Sequence, residues 1–167
     1  TGGSISASDE WGTGTGTPVD LTVTGSSVVT APSSARSVTG NLIVTSGTLA
    51  LSATSGADLT VGGNWTRGAG GTFSPNSRKV IFNGASTQTV TASGGATFDD
   101  LQVNKSGGTL TFAQDGTVNN ALTFTSGNID MGSNTLSLGA TGSVSHVSGY
   151  VLGNFKKTYA GVSASEK

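Results

Sequence analysis

Apolar residues recur in this chain with a period of about 21. The pairs Leu21/Val23, Leu42/Val44, Leu59/Val61, Val80/Phe82, Leu101/Val103 and Leu122/Phe124 each skip one position, as residues on one side of a β-strand do. Their first members lie 21, 17, 21, 21 and 21 residues apart, and a step of 22 reaches Val144. A second series joins Val28 to Leu49, and Leu110 through Ile129 to Val151. Between the pairs stand Gly, Asn, Ser and Asp, which tolerate tight corners or bond to their own backbone there. A chain repeating such a unit returns to the same place one strand spacing further along. The pattern predicts an all-β fold, a single-stranded right-handed parallel β-helix or β-solenoid. It would have about 7–8 rungs of roughly 21 residues, stacked about 4.8 Å apart into a rod about 35 Å long.

The stretches "NLIVTSGTLALS" (Asn41 to Ser52) and "ALTFTSGNIDMGSNTLSLG" (Ala121 to Gly139) read as copies of one rung. Their shared triplets, Thr45 to Gly47 and Thr125 to Gly127, stand 80 residues apart, roughly four periods. An antiparallel β-sandwich is the alternative, because it also joins short strands by close turns. A sandwich, however, requires no constant period. Residues 1–157 are expected to form the solenoid, with 1–20 a polar cap in which Trp11 plugs the core. Residues 158–167 read as a tail or a linker to a following module.

Composition tests whether such a chain can be ordered at all. Gly, Thr and Ser number 27, 26 and 24 of 167 residues, a bias that also marks disorder. Here Val, Leu, Ile and Thr alternate through it, so the bias denotes β-structure built from small residues. Net charge is −1 and the basic residues are scattered, which leaves no electrostatic footprint for nucleic acid or an anionic membrane. No apolar run reaches the length of a spanning helix, and the first residues lack the regions of a signal peptide, so an exported chain would have lost its signal already. The absence of Cys excludes disulfides and thiolate metal sites, and it fits an extracellular location.

Four segments carry a resemblance: "VIFNGASTQTV" (Val80 to Val90), "FDDLQVNKSGGTLTF" (Phe98 to Phe112), "TVNNALTFTSGNIDMGSNTLSLG" (Thr117 to Gly139) and "GYVLGNFKK" (Gly149 to Lys157), with "GGNWTRGAGGTF" (Gly62 to Phe73) upstream. Over roughly Asn41 to Lys157 the chain resembles the β-solenoid repeat region of large secreted and cell-surface proteins of Bacteroidota and related bacteria, many of them cargo of the type IX system. The resemblance implies a module of a long extracellular protein, with a further β-domain after the stretch like "GYVLGNFKK". The sorting domain typical of such proteins is not seen in this sequence.

Little in the sequence carries chemistry. Glycoside hydrolysis needs two facing carboxylates, but Asp99 and Asp100 are adjacent and point to opposite sides of a strand. Asp58, Asp100 and Asp115 read as corner residues, Asp130 as an outward one, and Asp58, Lys79 and Asp100 as at most a charge ladder. His146 is the only His, without Cys or acidic neighbours to complete a metal site, and it falls in the inward series after Val144. No G-x-S-x-G elbow is present. "SGGATFDDL" (Ser93 to Leu101) bears a single, unrepeated likeness to a Ca²⁺-binding nonapeptide. The triplets beginning at Asn64 and Asn104 match glycosylation sequons in form only. Asn83 and Asn104 are expected to stack as a short amide ladder. Outward positions along the apolar series read Thr22, Ile43, Thr60, Ile81, Gln102, Thr123 and Ser145, too irregular for an ice-binding face. Trp65 and Arg67 lie in the longest departure from the period; they are the candidate ligand-binding residues, through stacking on a sugar or pairing with an acidic glycan, although Trp65 also suits a core role.

These readings converge on a non-enzymatic extracellular module, a stalk, spacer, adhesive or self-stacking filament segment of a bacterial surface protein. Expected partners are other copies or neighbouring modules of the same chain, with no cofactor, metal, nucleic acid or membrane insertion. The alternatives are a carbohydrate-binding module or glycan-specific adhesin, whose partner would be surface glycans, and, further off, a polysaccharide-active enzyme.

Overall fold

A computed structural model describes residues 17–26 and 28–159. The expected cap around Trp11 and the tail beyond Tyr159 lie outside the described residues. Twelve strands are present: β1 (Leu21–Val23), β2 (Val28–Thr30), β3 (Arg36–Val38), β4 (Leu42–Ala50), β5 (Leu59–Val61), β6 (Trp65–Ser74), β7 (Lys79–Phe82), β8 (Gln88–Ala92), β9 (Ala96–Phe112), β10 (Gly116–Leu138), β11 (Ser143–His146) and β12 (Val151–Lys157). Every pairing between them is parallel. The chain is therefore a β-solenoid and not a sandwich, and its long strands β9 and β10 run around corners.

Three ladders climb the rod. On the first face Leu21 pairs with Leu42, Leu42 with Trp65 and Trp65 with Val90, and further up Leu110 pairs with Ile129 and Ile129 with Val151. On the second face Val29 pairs with Leu49 and Leu49 with Phe73; above a break, Phe98 pairs with Val118, and Leu136 with Phe155. On the third, Val38, Val61, Phe82, Val103, Phe124 and His146 stand one above another. Among the described residues that ladder has six strands, so the coil makes about six turns there, where seven or eight rungs are expected over residues 1–157. The ladder's steps are 23, 21, 21, 21 and 22 residues, close to the expected period, whereas the first face has longer ones, 23 from Leu42 to Trp65 and 25 from Trp65 to Val90.

The register also corrects the apolar series. Leu42 and Leu59 are not successive members of one column: Leu42 lies beneath Trp65 on the first face, whereas Leu59 lies above Arg36 on the third. The odd step of 17 residues is a passage from one face to another. Leu49 stands over Val29 and not over Val28. The two TSG triplets occupy different corners as well, Thr45 following Val44 of the first face and Thr125 following Phe124 of the third. Each face uses the same inward-outward-inward triplet, so a third of a turn resembles a whole one. Regrouped by face, the outward residues remain mixed, with Thr60, Ile81, Gln102, Thr123 and Ser145 on the third.

Inside the rod the triplets form a continuous apolar column from Leu21 to Leu138. Leu42, Val44, Leu59, Val61, Val80, Phe82, Leu101, Val103, Leu110 and Ile129 are all fully buried. Burying each such side chain contributes about 1.5–3 kcal/mol, offset by the entropy of ordering the chain. Turns approach so closely that some corners admit only glycine: a Cβ on Gly62 would overlap the carbonyl of Thr39, one turn below.

Candidate functional site

Carboxylates act as mortar at the corners. Asp20, Asp58, Asp100 and Asp115 each accept the main-chain N–H of a residue about one turn on, Asn41, Lys79, Ala121 and Thr135. Asp99 accepts from the N–H of Ser77 at 2.6 Å and from the Asn119 amide at 2.8 Å, and Asp130 accepts from Gly132 N–H at 2.9 Å. All six carboxylates among the described residues thus accept main-chain N–H groups, five of them from another turn and Asp130 from its own. Asn41 and Asn64 do the same work, their side-chain oxygens accepting the N–H groups of Asn64 and Thr89. Asn83 and Asn104 follow the paired Phe82 and Val103 on the third face, but no hydrogen bond joins their amides, and the Asn104 oxygen accepts from Ser126 Oγ at 3.5 Å.

One polar group enters the interior. Lys105 is only 3% exposed, and its ammonium donates to the carbonyls of Gly84 and Ser86 at 2.8 Å and to Gln88 Oε1 at 2.9 Å. Gln88, itself buried, accepts from Gly84 N–H at 2.8 Å and donates to the carbonyls of Val61 and Gly63. The network fastens three successive turns at one corner. Burial pushes the Lys105 ammonium down from 10.5 to about 8. The sequence gives no sign of this role, since Lys105 sits among polar corner residues and looks solvated.

Trp65 is 1% exposed and points into the core, where its ring meets Phe73 at 4.6 Å, Phe98 at 5.4 Å and Phe82 at 6.3 Å between centroids, all near edge-on. It fills the place where the coil widens and presents no outer face for a sugar. Arg67 lies beside it across a split in the second face. Gly71–Ser74 of β6 pairs with β4 below, but β6 has no pairing with β9 above, and almost every Cα of the two segments is more than 8 Å from the other. Paired strands are about 4.8 Å apart, so the split is about one strand wide. Two features open it: the 25-residue turn from Trp65 to Val90 and the protruding corner at Gly94 and Gly95, whose φ values of 77° and 95° suit glycine.

The Arg67 guanidinium spans the split, donating from Nη1 to Gly71 O below at 3.1 Å and from Nη2 to Ser93 O at 2.5 Å and Gly95 O at 2.9 Å above. A cavity of about 160 Å³ lies beside it, floored by Trp65, Phe73 and Phe98 and rimmed by the exposed Thr72 and Thr97. The sequence marked both residues; the structure turns Trp65 inward and leaves Arg67 at the opening.

His146 keeps the inward register expected of it, above Phe124, but is not covered among the described residues. It ends the third ladder at the top of the rod, exposed, two residues beyond Val144, which is 48% exposed. Around it Val147, Tyr150, Leu152 and Phe155 are also exposed. β11 and β12 each pair only with β10, so their outer edges have no strand upon them among the described residues. A cavity of about 310 Å³, lined by Leu122, Phe124, Val144, Tyr150, Val151 and Phe155, opens at this end.

Among the described residues no group of three or more metal-ligating side chains is found, and no helix is long and apolar enough to cross a membrane. Compared with protein-family models, curated proteins and solved structures, the chain matches none.

Proposed function

We propose that the chain is a non-enzymatic structural segment of an extracellular bacterial surface protein, a stalk or spacer that is lengthened by stacking further turns on its C-terminal end. The observation that carries this reading is the end itself. Val144 and Phe155 continue the inward columns above Leu122 and Leu136 yet are 48% and 43% exposed, and among the described residues both terminal strands offer unpaired edges. Buried apolar columns and strand edges are what a next turn covers. The engagement of all six described carboxylates in corner bonds is consistent with a scaffold, and the likeness to surface-protein repeats supports the extracellular bacterial setting.

Sedimentation velocity over a range of concentrations, with electron microscopy of the same samples, tests it. End-to-end oligomers should appear, and the double variant Val144→Lys, Phe155→Lys should abolish them while its circular dichroism stays that of the parent. Monomers at every concentration would overturn self-stacking, and hydrolysis of a polysaccharide by the purified chain would overturn the non-enzymatic reading.

A further inference from the structure

The split in the second face is a strand-wide slot with its hydrogen-bonding groups exposed toward the missing strand. Ser74 O accepts from Leu51 N–H, on the turn below, at 2.9 Å, and Ala96 N–H donates to Asp115 O, on the turn above, at 3.0 Å. Successive residues of a strand direct their main-chain groups to alternate sides. The N–H and C=O of Phe73 must therefore point up into the slot, and those of Thr97 down into it. The carbonyls of Gly71 and Gly95, two residues earlier on each wall, obey the same alternation and are the ones that Arg67 takes.

Arg67 closes one end of the slot by tying both walls together, so an extended chain cannot run through past the guanidinium. It can only end there. Three of the five guanidinium N–H groups are used on carbonyls, two remain, and no carboxylate pairs with Arg67 among the described residues. At the opposite end the Asp99 carboxylate, bonded to Ser77 N–H, bridges the same two turns and places negative charge there. That corner is strained, with Asn76 and Ser77 at φ values of 50° and 58°. An anionic group is thus attracted to the Arg67 end. The floor is aromatic but edge-on, with Trp65 buried, which disfavours a stacked sugar and suits a small apolar side chain.

We propose that this slot captures the C-terminus of a peptide chain. The terminal carboxylate meets Arg67, the last side chain, small and apolar, rests on Phe73 and Phe98, and the main chain bridges Phe73 and Thr97 as an added strand. The cavity of about 160 Å³ holds one or two small residues, and the rest of the peptide leaves between Thr72 and Thr97. This site is independent of the stacking end and lies on a different part of the rod.

The test uses the described protein and a fluorescently labelled pentapeptide ending in Ala-Val, as free acid and as C-terminal amide. The expected result is saturable binding of the acid, at least tenfold weaker binding of the amide, and amide-proton shifts concentrated at Phe73 and Thr97 in NMR titration. Arg67→Gln should lose binding at least tenfold; because that change also unties the two walls, the acid-against-amide comparison on the unaltered chain is decisive. Equal binding of acid and amide, equal binding of an amidated peptide with an internal Glu, saturation by acetate alone at the same concentrations, or no shifts along Gly71–Ser74 and Gly95–Phe98 would each overturn the proposal.

Discussion

Lys105 sets two requirements against each other. Three carbonyl-type acceptors hold its ammonium in place, while burial removes the water that a charge prefers, and the lowering to about 8 shows burial prevailing. Between pH 8 and 10.5 the unfolded chain keeps a proton that the folded chain has released. This group's cost to stability is therefore fully present below pH 8 and fades as pH rises through that window. Urea unfolding at pH 8 and pH 10 should show a gain on the order of 1 kcal/mol in the parent that Lys105→Met lacks. Trp65 permits a simpler forecast. Its burial among Phe73, Phe82 and Phe98 means that Trp65→Ala should cost about 3–5 kcal/mol in the same measurement, with a cavity left at the widest turn. An unchanged midpoint would place its ring outside the core.

Corners and strands have different tolerances. At a corner such as Asp100, the carboxylate satisfies an N–H that the next turn cannot otherwise bond. Asp100→Ala should cost about 1–2 kcal/mol, whereas Asp100→Asn, which keeps the acceptor oxygen, should cost less than half of that; thermal melts of the two variants separate the effects. At this scale the sequence discloses much and hides one thing. The triplets Leu59/Val61 to Leu122/Phe124 were readable with their true spacing, because an alternating apolar pattern has only one buried side. The phase between Leu42 and Leu59 was not, because all three faces need the same triplet and only the ladder tells which face a triplet occupies. The split was hidden for another reason. Nothing in Gly71–Ser74 or Ala96–Phe98 differs from an ordinary paired strand; the opening comes from extra residues elsewhere in the turn. Arg67 stood out by charge, but the carbonyls it ties together could be found only in three dimensions.

Taken whole, the rod is a stack in which each turn touches chiefly the turns next to it, so its length is adjustable in units of one turn. Deleting residues 101–121 joins Asp100 to Leu122 and keeps all three faces in phase. That chain should fold with the same β-type circular dichroism, melt cooperatively at a lower temperature and show an m value smaller by about one-sixth. Deleting half as many residues should abolish the fold, since every inward triplet above the cut would then arrive at the wrong face. Unfolding of both deletions alike would contradict a modular stack.

The direction of the ladders decides what happens when the rod is pulled. Hydrogen bonds between turns lie along the axis, and a load applied at the two ends opens them a rung at a time, like a zip, in place of shearing many together. Each turn that lets go releases about 65 Å of slack chain. A tether built this way yields under tension by lengthening before it breaks, and corners fastened by Lys105, Gln88 and the aspartates set the order in which its coils give way.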